Sequence, residues 1–261
     1  MNDASILLAL PVKALATESK EFAFGYLLNE MAVPVNALLE AGCKVTFATP
    51  RGKQPVRDVQ GDQPFYFTDG VRVPGQQARL ELKRALALVE DASSPVRGKG
   101  LGSFDTPLRF SDLNTPQKLD EYSAIFMPGG YAPMLGLHEN AQLGSILRYF
   151  NGKNRLTVTL CRGGVALASA AVGRDWVYRG YRMTTYATVE DDAVSVINKI
   201  LPTHRLPFHP NEKLKELGAR LSFSPFKVHV VEDRELLTGE NQHTAHALAR
   251  RFVQRLRNSK P

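Results

Sequence analysis

The 261-residue sequence is expected to fold as an α/β protein, a parallel sheet sandwiched by helices, with an inserted segment near residues 51–115. Three observations lead there. A βαβ pattern opens the chain, strand–helix alternation returns after residue 123, and the overall composition is that of an ordinary folded protein. Apolar residues make up 43% and charged residues 23%, enough of the first to bury a core and too few of the second for a disordered chain. The length suits one large domain carrying an insertion, so residues 1–261 are taken together, with 51–115 as an insertion or cap within them.

The opening unit reads directly from the residues. SILLAL (Ser5 to Leu10) is a short apolar run of strand length. Glu30 to Glu40 places Met31, Val33, Val35, Leu38 and Leu39 at helical spacing, with Pro34 expected in the first turn, where a missing N–H costs little. Ala41-Gly42 ends this helix and KVTFAT (Lys44 to Thr49) is the next strand. The stretch 51–115 breaks the rhythm with Gly, Pro, Gln and Asp, and offers one helix near Arg79 to Glu90. Alternation then resumes: strand Ser123 to Pro128, helix Ala141 to Phe150, strand Arg155 to Leu160, helix Val165 to Ala171. Later come a strand in YRMTTYA, a helix over Asp192 to Ile200, and another near Asn211 to Leu217. Strands near Lys227–Val231 and Glu235–Leu237 precede a helix from Thr244 onward.

The bulk properties exclude several classes. No basic region followed by an apolar core marks a secretory signal, and no apolar run approaches the roughly 18–20 residues that span a bilayer. A cytoplasmic protein without membrane partners is expected. The formal charge of +7 is thinly spread, and the group Arg250, Arg251, Arg255 and Arg257 sits where cations complement a helix C-terminus, so nucleic acid is not an expected partner. The two cysteines, Cys43 and Cys161, occupy unlike contexts and suggest no disulfide framework.

One segment carries chemistry. In TVTLCRGGVALASA an apolar strand ends at Leu160, Cys161 follows, and Arg162-Gly163-Gly164 leads into a run of small residues. A nucleophile between strand and helix is forced onto a tight turn, the glycines remove side chains that would clash, and a helix N-terminus there favours thiolate. Cysteine is also among the most buried residue types, so an inert core thiol is the bland alternative. Pro128-Gly129-Gly130 directly follows a strand and exposes backbone amides at the carboxyl edge of the sheet, where they could bind an oxyanion; a plain tight turn is the alternative. Glu30 opens the helix after the first strand, where a carboxylate is favourable in any case.

Together these segments resemble the ThiJ/PfpI superfamily, relatives of the class I glutamine amidotransferase fold, which implies a flavodoxin-like sheet. The resemblance runs through YSAIFMPGG, LGLHEN, NGKNRLTVTLC, GYRMTTYATVEDD and HVVEDRELLTGENQHTAHALA, and is closest to the heat-inducible chaperone and glyoxalase III branch. It implies Cys161 as nucleophile, Glu30 as the acid beside it, and Asp191 as the branch's triad acid. It also implies an oxyanion site at Gly130 and the Arg162 amide, with Gly129 and Tyr131 in the pocket. Two residues depart from the pattern. The histidine usual after the cysteine is Arg162, which cannot act as a base though it could pair with Asp191, and the histidine usual after Pro-Gly-Gly is Tyr131. The first histidine of the chain is His138, so the branch's N-terminal metal site is lost and neither metal nor other cofactor is expected. His204, His209, His229, His243 and His246 are read as surface or capping residues, with His209 and His243 as possible pocket liners.

The resemblance implies a glutathione-independent glyoxalase or related deglycase, acting on a small aldehyde or glycated substrate, and a homodimer. The alternative is a catalytically impaired homologue working as a holdase or as an oxidation sensor, with Cys161 becoming a sulfinic acid. Amidotransferase and peptidase chemistry fit less well, for want of the required histidines.

Overall fold

The computed structural model describes residues 4–10, 25–198 and 208–258. In chain order the elements are β1 (Ser5–Ala9), α1 (Leu28–Glu40), β2 (Lys44–Thr49), α2 (Gln76–Glu90), β3 (Leu108–Arg109), α3 (Pro116–Leu119), β4 (Ala124–Met127), α4 (Ala141–Gly152) and β5 (Leu156–Leu160). A 3₁₀ segment, Cys161–Ala170, follows. The chain continues through β6 (Ala171–Val172), β7 (Asp175–Trp176), β8 (Arg182–Met183), α5 (Thr188–Asn198), α6 (Pro210–Glu216), β9 (Arg220–Leu221), β10 (Val230–Asp233), β11 (Leu236–Gly239) and α7 (Ala245–Asn258).

The central sheet has the order β10-β11-β5-β4-β1-β2-β3. Every pairing in it is parallel except β10 with β11 at one edge. Strand alternation splits the core into two layers. Ile6 and Leu8 of β1 join Phe126, Val158, Met31, Val35, Leu38 and Phe252 on the face covered by α1 and α7. Leu7 and Ala9 join Ile125, Met127, Ile146, Leu147 and Phe150 on the face covered by α4. Both faces are therefore dry, which is why the central strands read as continuous apolar runs. The α/β class and the parallel sheet stand as the sequence indicated. Among the described residues no helix is long and apolar enough to cross a membrane.

Several expected elements are displaced. The helix read at Val165 to Ala171 begins at Cys161 and is 3₁₀ throughout, because a run of Gly and Ala lets the backbone tighten. YRMTTYA contributes only β8, which pairs with β9 outside the main sheet. Its residues Thr184 and Thr185 instead bond to Thr238 and to the Cys161 carbonyl. Helix α1 begins at Leu28, so Pro34 is its seventh residue and lies beyond the first turn. It has no N–H to give the Glu30 carbonyl, its i−4 partner. The segment 51–115 also supplies β3, which extends the sheet beside β2, and Ile200 of the expected Asp192–Ile200 helix lies outside the described residues.

The topology places the site. The chain leaves β1 for β2 on one side, and the neighbour on the other side is β4, then β5. The carboxyl ends of β1, β4 and β5 thus diverge around a crevice, the position where open α/β sheets bind ligands.

Candidate active site

Cys161 stands one residue past β5 with φ +56°, a left-handed conformation that a non-glycine residue rarely adopts. Only 1% of it is exposed. Its neighbours hold the turn in place. The Thr185 hydroxyl donates to the Cys161 carbonyl at 2.9 Å. A side chain at Gly163 would meet the Pro128 carbonyl, and one at Gly164 would meet the Thr185 hydroxyl at 2.8 Å. The turn needs glycine at both positions.

Glu30 comes from the first turn of α1 and is fully buried. It packs against the same backbone as the thiol. A Cβ on Gly129 would run into Glu30 Oε2 on one side and lie 2.8 Å from Cys161 Cβ on the other. Burial pushes the Glu30 carboxyl up to about 8, and the nearby Cys161 thiol, the Arg162 charge and the amides of Gly129 and Gly130 only partly offset it. Neither carboxyl oxygen makes a well-formed hydrogen bond with a described residue.

The thiol follows the same logic. Burial first, and the Glu30 carboxyl second, push Cys161 well above the usual thiol range, while Arg162 pulls in the opposite direction. The expectation that the following helix favours thiolate is therefore corrected. The loss of solvation outweighs the amide of Arg162 and its guanidinium and favours the uncharged thiol.

Arg162 does not point to solvent. Its guanidinium bonds the Asp191 carboxylate of α5, and both residues are buried. Its two faces are covered by aromatic rings, Tyr131 at 4.2 Å and Tyr186 at 4.0 Å. The positive charge beside the thiol is thus fixed in place by three side chains. His209 lies on the far side of Asp191, with Nδ1 3.5 Å from its second oxygen.

The structure brings Cys161, Glu30, Gly129, Gly130, Arg162, Tyr131 and Asp191 to one place. The sequence did not reveal Tyr186, Thr185, Asp58 or Tyr66 as their neighbours. Asp58 and Tyr66 belong to the stretch read as an insertion, and no motif marks them. Tyr186 stood five residues before Asp191, in the YRMTTYA segment read as a strand, and nothing there marked it. His243, read as a surface or capping residue, is buried with Nδ1 3.0 Å from the Thr68 carbonyl. Its ring meets Phe65 edge-on, so it anchors the 64–68 turn. His138 is also largely covered, against Phe208, while His204 lies outside the described residues. A cavity of about 460 Å³ begins at Ala132, one residue past Tyr131, and runs between Arg51, Lys53, Leu135 and Glu139. It holds neither Cys161 nor Glu30.

Among the described residues no three His, Cys, Asp or Glu side chains are grouped to hold a metal ion. The model of the DJ-1/PfpI family matches residues 76–255, more than half of the chain and including the Cys161 turn.

The chain belongs to the DJ-1/PfpI family.

Curated relatives within it include the protein/nucleic acid deglycase HchA of Pseudomonas aeruginosa, 26% identical over 194 residues, covering 72% of this chain and 66% of that protein. Protein/nucleic acid deglycase 1 of Escherichia coli is 29% identical over 154 residues, covering 59% of this chain and 53% of that protein. The matches thus span between half and two thirds of the relatives' lengths. Among solved structures, glyoxalase III from Candida albicans superposes with a TM-score of 0.75 at 17% identity, covering 97% of each chain. The rapid encystment protein of Francisella tularensis gives 0.71 at 19% identity, covering 97% of this chain and 99% of that one. These likenesses establish the family fold. The family match begins at residue 76, so Glu30 and Asp58 lie outside it.

Proposed function

We propose that this DJ-1/PfpI protein is a glutathione-independent glyoxalase or deglycase-type enzyme, in which Cys161 adds to a small α-dicarbonyl and Glu30 moves protons. The single observation that carries this reading is the buried Cys161–Glu30 pair, its cysteine on a left-handed turn and both residues packed against Gly129. The names of the relatives support it, since two are deglycases and a similar fold is a glyoxalase III.

With methylglyoxal the steps balance within the substrate. The reactive form of the pair has lost one of its two protons. The sulfur bonds to the aldehyde carbon, and the carbonyl oxygen takes the remaining proton from Glu30 to give a hemithioacetal. The Glu30 carboxylate then removes that carbon's hydrogen as a proton and returns it to the neighbouring carbon, while the hydroxyl proton of the first carbon passes to the neighbouring carbonyl oxygen. The first carbon is oxidised to a thioester and the second is reduced to an alcohol, so no outside oxidant is needed. Water cleaves the thioester to lactate and releases the thiol. The amides of Gly130 and Arg162 are the donors proposed for the oxyanion. Arg162 stays charged throughout and serves as a fixed cation, with no part in carrying protons.

The test is lactate formation from methylglyoxal without glutathione, beside Cys161→Ala. Lactate from the wild type alone supports the enzyme, and none above the variant overturns it. A second reading, a holdase, is favoured by exposed Val71, Val73 and Leu101 on the 51–115 segment. Under it, suppression of aggregation survives Cys161→Ala.

A further inference from the structure

One wall of the Cys161 pocket comes from a stretch with no motif in it. Tyr26 pairs on one side with Gly130 and on the other with Arg57. The Asp58 amide then donates to the Tyr26 carbonyl at 3.0 Å, and the turn that follows is packed onto Leu27 at Gly61. This backbone ladder seats Asp58 one strip away from Gly130, whose neighbour Gly129 packs against both Glu30 and Cys161. The Asp58 carboxylate is 95% buried by the same packing, being 5% exposed, and caps the next turn by accepting from the Gln60 amide at 3.0 Å. Its field reaches Arg162, Tyr66 and Tyr131, side chains of the pocket.

Asp58 has no counter-ion among the described residues. Its neighbour Arg57 is taken by Asp62 at 3.2 Å and Glu90 at 2.6 Å, and Arg162 is taken by Asp191. Burial raises both Glu30 and Cys161 and so favours their uncharged forms, which leaves neither of them as a cation to offset Asp58. Asp58 is raised by burial to about 6, which leaves it ionised at pH 7.5. A desolvated site beside a negative charge that no ion pair matches disfavours a further anion.

We infer that Asp58 is a specificity-determining residue that admits uncharged dicarbonyls to Cys161 and turns away aldehydes and reagents carrying a carboxylate. The choice of dicarbonyl rests on the function proposed above, whereas charge discrimination at the thiol belongs to the pocket itself. The opposing possibility is that the Arg162 Nε, which has no hydrogen-bond partner among the described residues, recruits carboxylates instead.

Alkylation of Cys161 separates the two without any turnover. The sulfur displaces iodide from iodoacetamide, which is neutral, or from iodoacetate, which is an anion; an S–C bond forms, the C–I bond breaks, and the thiol proton passes to buffer. Rates at pH 7.5 are followed by peptide mass, which distinguishes Cys161 from Cys43, and are normalised to the same two reagents acting on free cysteine. The wild type is expected to disfavour iodoacetate by about tenfold. Asp58→Asn and Asp58→Ser, both of which retain a capping side chain, should remove most of that bias while leaving iodoacetamide within about twofold. Asp58→Glu should keep it. A bias unchanged in both neutral variants, or a wild type that favours iodoacetate, overturns the inference. Charge discrimination without lactate formation supports Asp58's role and counts against the glyoxalase reading alone.

Discussion

Arg162 and Asp191 form a buried ion pair beside the nucleophile, at the position where the family resemblance implied a histidine and its acid. An arginine keeps its charge at every accessible pH, so the pair is a structural and electrostatic device. Removing one member leaves the other charged and buried. Arg162→Ala is expected to lower unfolding stability by about 3–5 kcal/mol, measured by urea denaturation. Replacing both with apolar residues, Arg162→Met with Asp191→Leu, should cost markedly less than the sum of the single changes.

Glu30 makes stability depend on pH with a definite sign. Its carboxyl rises from 4.5 to about 8 on folding, so the folded state holds more protons between those values. Stability is therefore greatest below the lower value and falls as pH rises through the window, levelling off above it. Glu240, raised to about 7, and Asp58, raised to about 6, act in the same direction. Thermal unfolding of the wild type from about pH 5 to about pH 8 should show this decline. Glu30→Gln should flatten it and be more stable at the alkaline end by about 2–4 kcal/mol.

Gly129 is the spacer between acid and thiol. A methyl group there meets Glu30 and Cys161 together, and the Leu160 carbonyl at 2.8 Å. Gly129→Ala should cost about 1–3 kcal/mol of stability, read from urea midpoints. It should also abolish methylglyoxal turnover even where the protein stays folded by circular dichroism. Wild-type activity in this variant would show that the tight packing is not needed for the chemistry.

Much of this arrangement was legible before the structure. SILLAL and SAIFMP gave their strands away because parallel strands buried on both faces are mostly apolar, and KVTFAT through its β-branched and aromatic residues after Ala41-Gly42. Cys161 stood out because an apolar strand running into Cys-Arg-Gly-Gly leaves room only for a sharp turn. The 3₁₀ form of Cys161–Ala170 was hidden, since small residues are compatible with either helix. The raised thiol was hidden too, because desolvation by Glu30's surroundings is a property of packing and leaves no local signature. Asp58, Tyr66 and Tyr186 reach the site through long-range contacts, the kind of information that spacing along one chain does not carry.

The central claim is that Glu30 and Cys161 act as one proton-sharing pair despite the fixed cation at 162. The most direct measurement is the pH dependence of lactate formation from methylglyoxal by the wild type and Glu30→Gln. The expected wild-type profile rises with an apparent value near 8, the value to which burial lifts Glu30, and belongs to the pair as a whole. Glu30→Gln should lose about 10²–10⁴-fold in rate and lose that rise. A glutamine variant that turns over methylglyoxal at the wild-type rate with the same profile would contradict the account.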